Sequence, residues 1–379
     1  MRPDSALFST DDAIRLARWR LPRLAFDFIA GATGREHAAT HNTEAIRALR
    51  LQPRVLLPTD GRTLSTPLLD DTWERPFGIA PMGLCNLVHP DADTLLIDTA
   101  RRCTLPVCTS TAASTSLEQV AARAGNTAWF QLYVTGGVDD ALALVERALQ
   151  AGYHTLVLTV DVPQASRRIR DQRNGLQLPF RLGARQLVDF ALHPRWTWSQ
   201  WRRGAPAPAN FDAAKPFDRG ASRGACDRAF LDTLRARWPG RLLVKGITHP
   251  DDARAVRDAG ADAVWVSNHG GRQLDAAPAA IDILPRIRAA LGRDCPILFD
   301  SGLQSGEDVV KALACGADFC MLGRPWLYAL GAGGGAALDR LVDLISTDID
   351  TVMAQLGVTR TVDISEQHLW QSDPNETPS

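Results

Sequence analysis

Residues 260–275 read GADAVWVSNHGGRQLD. A glycine leads, four apolar residues follow, and the chain then turns abruptly polar through Ser267, Asn268, His269, two glycines and Arg272. Glycine just before an apolar run is a usual helix stop, because it accepts the left-handed conformation that ends many helices. Ala263, Val264, Trp265 and Val266 have no polar face, which suits a strand covered on both sides. Residues 316–325, GADFCMLGRP, repeat the arrangement. Each stretch reads as one unit of a parallel α/β fold: a helix end, a doubly covered strand, and a polar strand end.

Similar apolar runs lie at 77–83, 105–111, 128–134, 155–163, 242–247 and 296–302, which with 263–271 and 319–325 make eight. Between most of them the spacing is helical, as in DDALALVERALQAG at 139–152, which ends in glycine. Eight strands with intervening helices imply a (β/α)8 TIM barrel. A doubly wound sheet is the alternative, with fewer strands. We read 1–379 as one domain: an N-terminal helical cap with a lead-in strand over 1–75, the barrel over 76–365, and an insertion over about 175–225.

The insertion separates the fourth and fifth strands by about 80 residues, against 2–6 for a usual βα loop. Its part at 180–211 holds Trp196, Trp198 and Trp201, with Arg181, Arg185, Arg195, Arg202 and Arg203 against the single acid Asp189. That composition suits a segment lying on a membrane surface. An ordered lid or a subunit contact is the other reading.

The totals exclude several classes. A net charge of -1 argues against a nucleic-acid surface. Seven cysteines, an odd number without a CxxC pair, read as reduced core thiols of a cytoplasmic protein, with no metal. The N-terminus has no secretory pattern and no apolar run reaches a membrane span, so any membrane contact is expected to be peripheral, on the inner face of the cell membrane.

In a barrel, catalytic groups gather at the C-terminal strand ends. Those ends carry Pro81, Met82 and Gly83; Ser110; Gln131 and Tyr133; Thr159 and Asp161; Lys245; Ser267, His269 and Arg272; Asp300; and Gly323 with Arg324. Singly, each has an ordinary explanation as core residue, ion pair or helix cap. Jointly they argue for one enclosed polar site. His269 with Asp161 reads as a base and its orienting carboxylate. Arg272 and Arg168 suit fork-to-fork binding of a carboxylate. Lys245, a lone lysine ending an apolar strand, can stabilise negative charge on a reduced ring. Ser110, Gln131 and Thr159 suit a heteroaromatic edge. The last two strand ends are the usual phosphate position.

SNHGGRQLD, LVKGI, FQLYV, LTVDVP and GRP together resemble the FMN-dependent 2-hydroxy acid dehydrogenases and oxidases, over about residues 7–365. The resemblance implies FMN as cofactor and a small (S)-2-hydroxy acid, lactate-like or mandelate-like, as substrate. A quinone or oxygen would accept the electrons, and a homo-tetramer is implied. It makes His269 the base, Asp161 its partner, Arg272 and Arg168 the carboxylate clamp, and Tyr133 a substrate hydrogen-bonder. Lys245, Ser110, Gln131, Thr159, Ser267 and the backbones of Pro81, Met82 and Gly83 would contact the flavin ring. Asp300, Ser301, Gly302, Gly323 and Arg324 would hold ribityl and phosphate. Three positions depart from the family pattern. Phe28 stands where a tyrosine touches the substrate carboxylate. Gln304 replaces an arginine near the phosphate, which implies weaker FMN retention. Ala112 replaces a bulky tryptophan, which leaves room for a larger substrate. Another FMN or phosphate-binding barrel enzyme, such as an isomerase or an inosinate-dehydrogenase-like protein, and a non-catalytic ligand-binding barrel are the rival readings.

Overall fold

The chain enters through three helices, α1 (Thr10–Arg20), α2 (Arg23–Ala30) and α3 (His37–Ala48), in a computed structural model that describes residues 7–176, 183–211, 216–218 and 220–371. Ser9 caps α1 by accepting from the Asp12 amide, with acids in the first turn and Arg18 and Arg20 in the last. Where one lead-in strand was expected, the structure has an antiparallel hairpin, β1 (Thr66–Leu68) and β2 (Asp71–Trp73). Each of its strands is three residues long, too short for alternation to reveal.

Eight parallel strands then close a barrel: β3 (Phe77–Ile79), β4 (Val107–Ser110), β5 (Ala128–Leu132), β6 (Thr155–Thr159), β7 (Arg241–Ile247), β8 (Ala263–Val266), β9 (Ile297–Phe299) and β10 (Phe319–Leu322), with β10 pairing back to β3. Most are shorter than their apolar runs, because the chain leaves the sheet where the polar groups begin. Inside, Cys108, Trp129, Leu243, Trp265, Leu298 and Phe319 fill the barrel, and Leu68 and Trp73 of the hairpin join the same cluster. Trp73 meets Trp129 edge-on at 6.1 Å. Truncating such a filled position, as in Trp129→Ala, costs about 3–5 kcal/mol.

The outer layer is α4 (Ala92–Arg102), α5 (Leu117–Ala124), α6 (Val138–Gln150), α7 (Ile169–Arg173), α8 (Ala184–Leu192), α9 (Pro194–Arg203), α10 (Arg228–Arg237), α11 (Pro250–Asp258), α12 (Ala280–Leu291), α13 (Gly306–Ala314) and α14 (Arg324–Leu356). Gly260 and Gly316, after α11 and α13, have φ of 85° and 108°, the left-handed stops that the GAD repeats imply. The insertion divides in two. Helices α8 and α9 bury no residue and expose Leu187, Val188, Leu192, Trp198 and Trp201. They are pinned through Trp196 Nε1 to the Leu87 carbonyl at 3.0 Å and through Asp189, which accepts from the Arg23 amide at 2.7 Å. The segment around Arg223 instead folds back against the strand ends. Arg181 lies outside the described residues.

Candidate active site

β8 ends at Val266, and the chain passes at once into a single 3-10 turn over His269–Gly271. His269 has φ 58°, rare for a residue with a side chain. Three attachments hold it there. Asn268 and Asn42 of α3 exchange side-chain hydrogen bonds of 2.8 and 2.7 Å. Ser301 Oγ accepts from the amides of Asn268 and Gly270. Arg324 donates to the carbonyls of Gly270, Ile29 and Gly31 at 2.9, 3.1 and 3.1 Å. Gly271 lets the turn seat on α3, since a Cβ there would lie 2.4 Å from the Ala39 nitrogen.

The imidazole is thereby aimed. Its Nδ1 lies 3.0 and 3.2 Å from the two oxygens of Asp161, and its Nε2 lies 3.3 Å from the Tyr133 hydroxyl. The carboxylate accepts from Nδ1–H, which leaves the Nε2 lone pair toward Tyr133. Burial, with the charges of Lys245 and Arg168, lowers the His269 pKa below the ordinary value against the raising effect of Asp161. Burial alone would raise the Asp161 pKa, but His269 and Lys245 outweigh it, so this carboxyl lies below its ordinary range. Burial pushes the Tyr133 pKa up to about 12, so the phenol keeps its proton and donates.

Asp161 reaches His269 across a bulge in β7. The register slips between Lys245 and Ile247, and Gly246 has φ 104°. A Cβ on Gly246 would sit 2.6 Å from Asp161 Cβ and Cγ, so only glycine leaves the carboxylate its place.

Lys245 is not the lone lysine its strand suggests. Its Nζ lies 2.9 Å from Asp300 and donates to Ser267 Oγ at 2.7 Å. The partner is 55 positions away in sequence, which apolar patterning cannot show. Desolvation lowers the Lys245 pKa, but Asp300 and Asp161 outweigh it and the ammonium is held charged. Asp300 also accepts from Trp265 Nε1 at 3.0 Å, Ser267 at 2.6 Å and Ser301 at 2.8 Å, so it organises the strand ends as well as facing the cavity.

These groups surround a cavity of about 450 Å³. Its wall holds Phe28, Pro81, Met82, Gly83, Ser110, Ala112, Tyr133, Arg168, Lys245, His269, Arg272, Asp300, Ser301, Gly302, Gln304, Gly323 and Arg324. Asp161, Gln131, Thr159 and Ser267 are not among the residues lining it; Gln131 Oε1 accepts from the wall residue Ser110, and Ser267 and Asp161 bond to the wall residues Lys245 and His269. Phe28, lacking a hydroxyl, supports Arg272 otherwise: its carbonyl accepts from Nη2 at 2.9 Å, and the guanidinium lies 5.5 Å from its ring centroid. Gln131 Nε2 and Thr159 Oγ1 are buried without a hydrogen-bond partner. Among the wall residues that the sequence reading did not single out are Ser166 and Arg223, since neither belongs to a recognisable pattern and Arg223 lies in the insertion. Among the described residues no cluster of metal-binding side chains occurs.

The pattern of a family described as FMN-dependent dehydrogenase matches residues 17–371. The (S)-mandelate dehydrogenase of Pseudomonas putida is 36% identical, over 98% of this chain and 96% of its own. An L-lactate dehydrogenase of Caulobacter vibrioides is 37% identical, over 97% of this chain and 98% of its own. Among solved structures, a monotopic membrane protein, (S)-mandelate dehydrogenase, aligns with a TM-score of 0.92 at 35% identity, over 97% of this chain and 100% of that one.

Proposed function

The chain belongs to the FMN-dependent dehydrogenase family, and on that premise we propose that it oxidises an (S)-2-hydroxy acid to the 2-oxo acid. One observation carries the reading. A histidine oriented by a carboxylate meets a tyrosine hydroxyl on the wall of a cavity that also presents Arg168 and Arg272.

FMN fits the residues present. The unmatched Gln131 Nε2 and Thr159 Oγ1 are buried polar atoms that call for a ligand's hydrogen bonds. Ser110, Gln131, Thr159 and Lys245, with the backbone of Pro81, Met82 and Gly83, would hold its ring. Ser301, Gly302, Gly323 and Arg324, at the start of α14, would hold its phosphate. When bound, FMN takes up the two electrons that leave the substrate.

The protein's own groups divide the remaining work. Arg272 and Arg168 bind and orient the substrate carboxylate. Tyr133 donates a hydrogen bond to the hydroxyl. His269 Nε2 accepts a proton, and Asp161 stabilises the imidazolium that results. Lys245, already charged, offsets negative charge at the ring edge. Both routes for the α-hydrogen, as proton or as hydride, are compatible with this set.

The α8–α9 face is the membrane contact in this reading. Its exposed leucines, valine and tryptophans lie among Arg185, Arg195, Arg202 and Arg203, the composition of an interfacial segment. Among the described residues no helix is long and apolar enough to cross a membrane.

The test is anaerobic. FMN-loaded protein is mixed with (S)-mandelate and, separately, L-lactate, and the oxidised flavin band is followed. Rapid bleaching by either acid is the expected result, and no bleaching by any 2-hydroxy acid would overturn the assignment. Admitting air afterwards tells oxygen from a quinone as acceptor, since the colour returns quickly only if oxygen is used.

A further inference from the structure

Where β4 and β5 part at the cavity, one threonine bridges the gap. β4 ends at Ser110 and β5 at Leu132, with Ser110 in register with Gln131. The next residue, Thr111, is fully buried and leaves the ladder. Its hydroxyl donates to the Gln131 carbonyl at 2.6 Å and accepts from the Tyr133 amide at 3.0 Å. Those are the two backbone groups that one more strand residue would bond in a parallel ladder. The side chain stands in for backbone, and the backbone of Thr111 is released for other partners. Its amide donates to Gln131 Oε1 at 3.3 Å, and its carbonyl accepts at 3.0 Å from Nδ2 of Asn210, a residue of the insertion.

Both residues it grips belong to the site. Tyr133 lines the cavity with its hydroxyl 3.3 Å from His269 Nε2, so the place of its backbone sets the place of that phenol. At Gln131 the effect is on orientation. A backbone amide only donates, so the side-chain atom facing the Thr111 amide is the oxygen, which also accepts from Ser110 Oγ at 3.1 Å. Nε2 is left as the donor, buried and without a partner among the described residues, and it serves the cofactor in the proposed FMN site.

We propose that Thr111 is a positioning residue of the reaction. Its hydroxyl fixes the backbones of Gln131 and Tyr133, and its amide turns the Gln131 side chain so that Nε2 is the free donor. The substrate side and the flavin side of the site thereby keep one spacing. Thr111 does not line the cavity and acts only through these two residues. The kinetic part of this proposal rests on the hydroxy acid reading.

Thr111→Val and Thr111→Ser separate the hydroxyl from the shape. Valine keeps the volume but leaves two buried backbone groups unmet, whereas serine keeps the hydroxyl. Anaerobic reduction of the FMN-loaded protein by the best 2-hydroxy acid is expected to fall about 10- to 100-fold in Thr111→Val and less than about 3-fold in Thr111→Ser. Propionate has the carboxylate but no hydroxyl to meet Tyr133. Followed through the flavin band, it should bind both variants as it binds the wild type, because Arg272 and Arg168 are untouched. A readout free of turnover is the FMN dissociation constant, expected to rise about 10-fold in Thr111→Val and to hold in Thr111→Ser. Thr111→Cys, whose thiol is a weaker donor, is read in the same way if Thr111→Val takes up no FMN. Wild-type reduction and FMN affinity in Thr111→Val would overturn the proposal. So would a loss of propionate binding in step with the rate, which marks general damage. If no 2-hydroxy acid reduces even the wild type, the hydroxy acid reading fails, and the FMN constants of the variants alone decide for or against Thr111.

Discussion

Arg272 is anchored by the residue that departs from the family pattern. Phe28 offers no hydroxyl to a substrate, but its carbonyl and ring fix the arginine fork. In the proposed reading the substrate carboxylate depends on planar, two-pronged donation, which a lysine cannot reproduce. Arg272→Lys is expected to raise KM by about 10- to 100-fold, and an unchanged KM in steady-state kinetics would remove Arg272 from the carboxylate. At His269 the decisive quantity is the sign of its shift. Burial lowers the pKa, and in the proposed reading the base works when neutral, so activity is expected to hold down to pH values below the ordinary histidine range. Plotted against pH, kcat/KM should rise to a plateau with a midpoint below 6.5. Asp161→Asn removes a group that raises this pKa, so the plateau should drop without the midpoint moving up. A midpoint near 8 would contradict the assignment.

The decisive elements are two strand ends. In SNHGGRQLD almost every letter has a task. Asn268 pairs with Asn42, His269 takes the left-handed bend, Gly271 clears Ala39, and Asp275 accepts from the Arg35 amide at 2.7 Å ahead of α3. The motif exposes its chemistry in sequence because its residues are consecutive. Asn42 could not be read, since it acts through Asn268, far along the chain. The β7 bulge is the second element. Gly246→Ala would meet both a left-handed φ and the Asp161 side chain. Displacing that carboxylate by about 1 Å is expected to lower kcat about 100-fold, with FMN retained by absorbance. A variant with full kcat would show that Asp161 does not need this position.

For the whole molecule, eight covered strands were legible because apolar runs and glycine stops recur through the chain. The hairpin was not, because its strands are three residues each. The insertion's composition pointed to a surface, and the fold turns that into geometry: α8 and α9 present Trp198 and Trp201, stacked at 5.1 Å, outward from the barrel. Replacing both by glutamate should shift the protein from the pellet to the supernatant in vesicle sedimentation while leaving flavin reduction by substrate intact. Equal sedimentation would reject this face as the membrane contact. The barrel's larger effect is to bring all eight strand ends to one histidine, and that convergence is the central claim. It is tested most directly by His269→Ala in an anaerobic stopped-flow experiment with the substrate that best reduces the wild type. The account predicts that FMN stays bound and that flavin reduction falls by about 1,000-fold or more. Reduction at the wild-type rate with FMN in place would contradict it, because the base would then have to be another group.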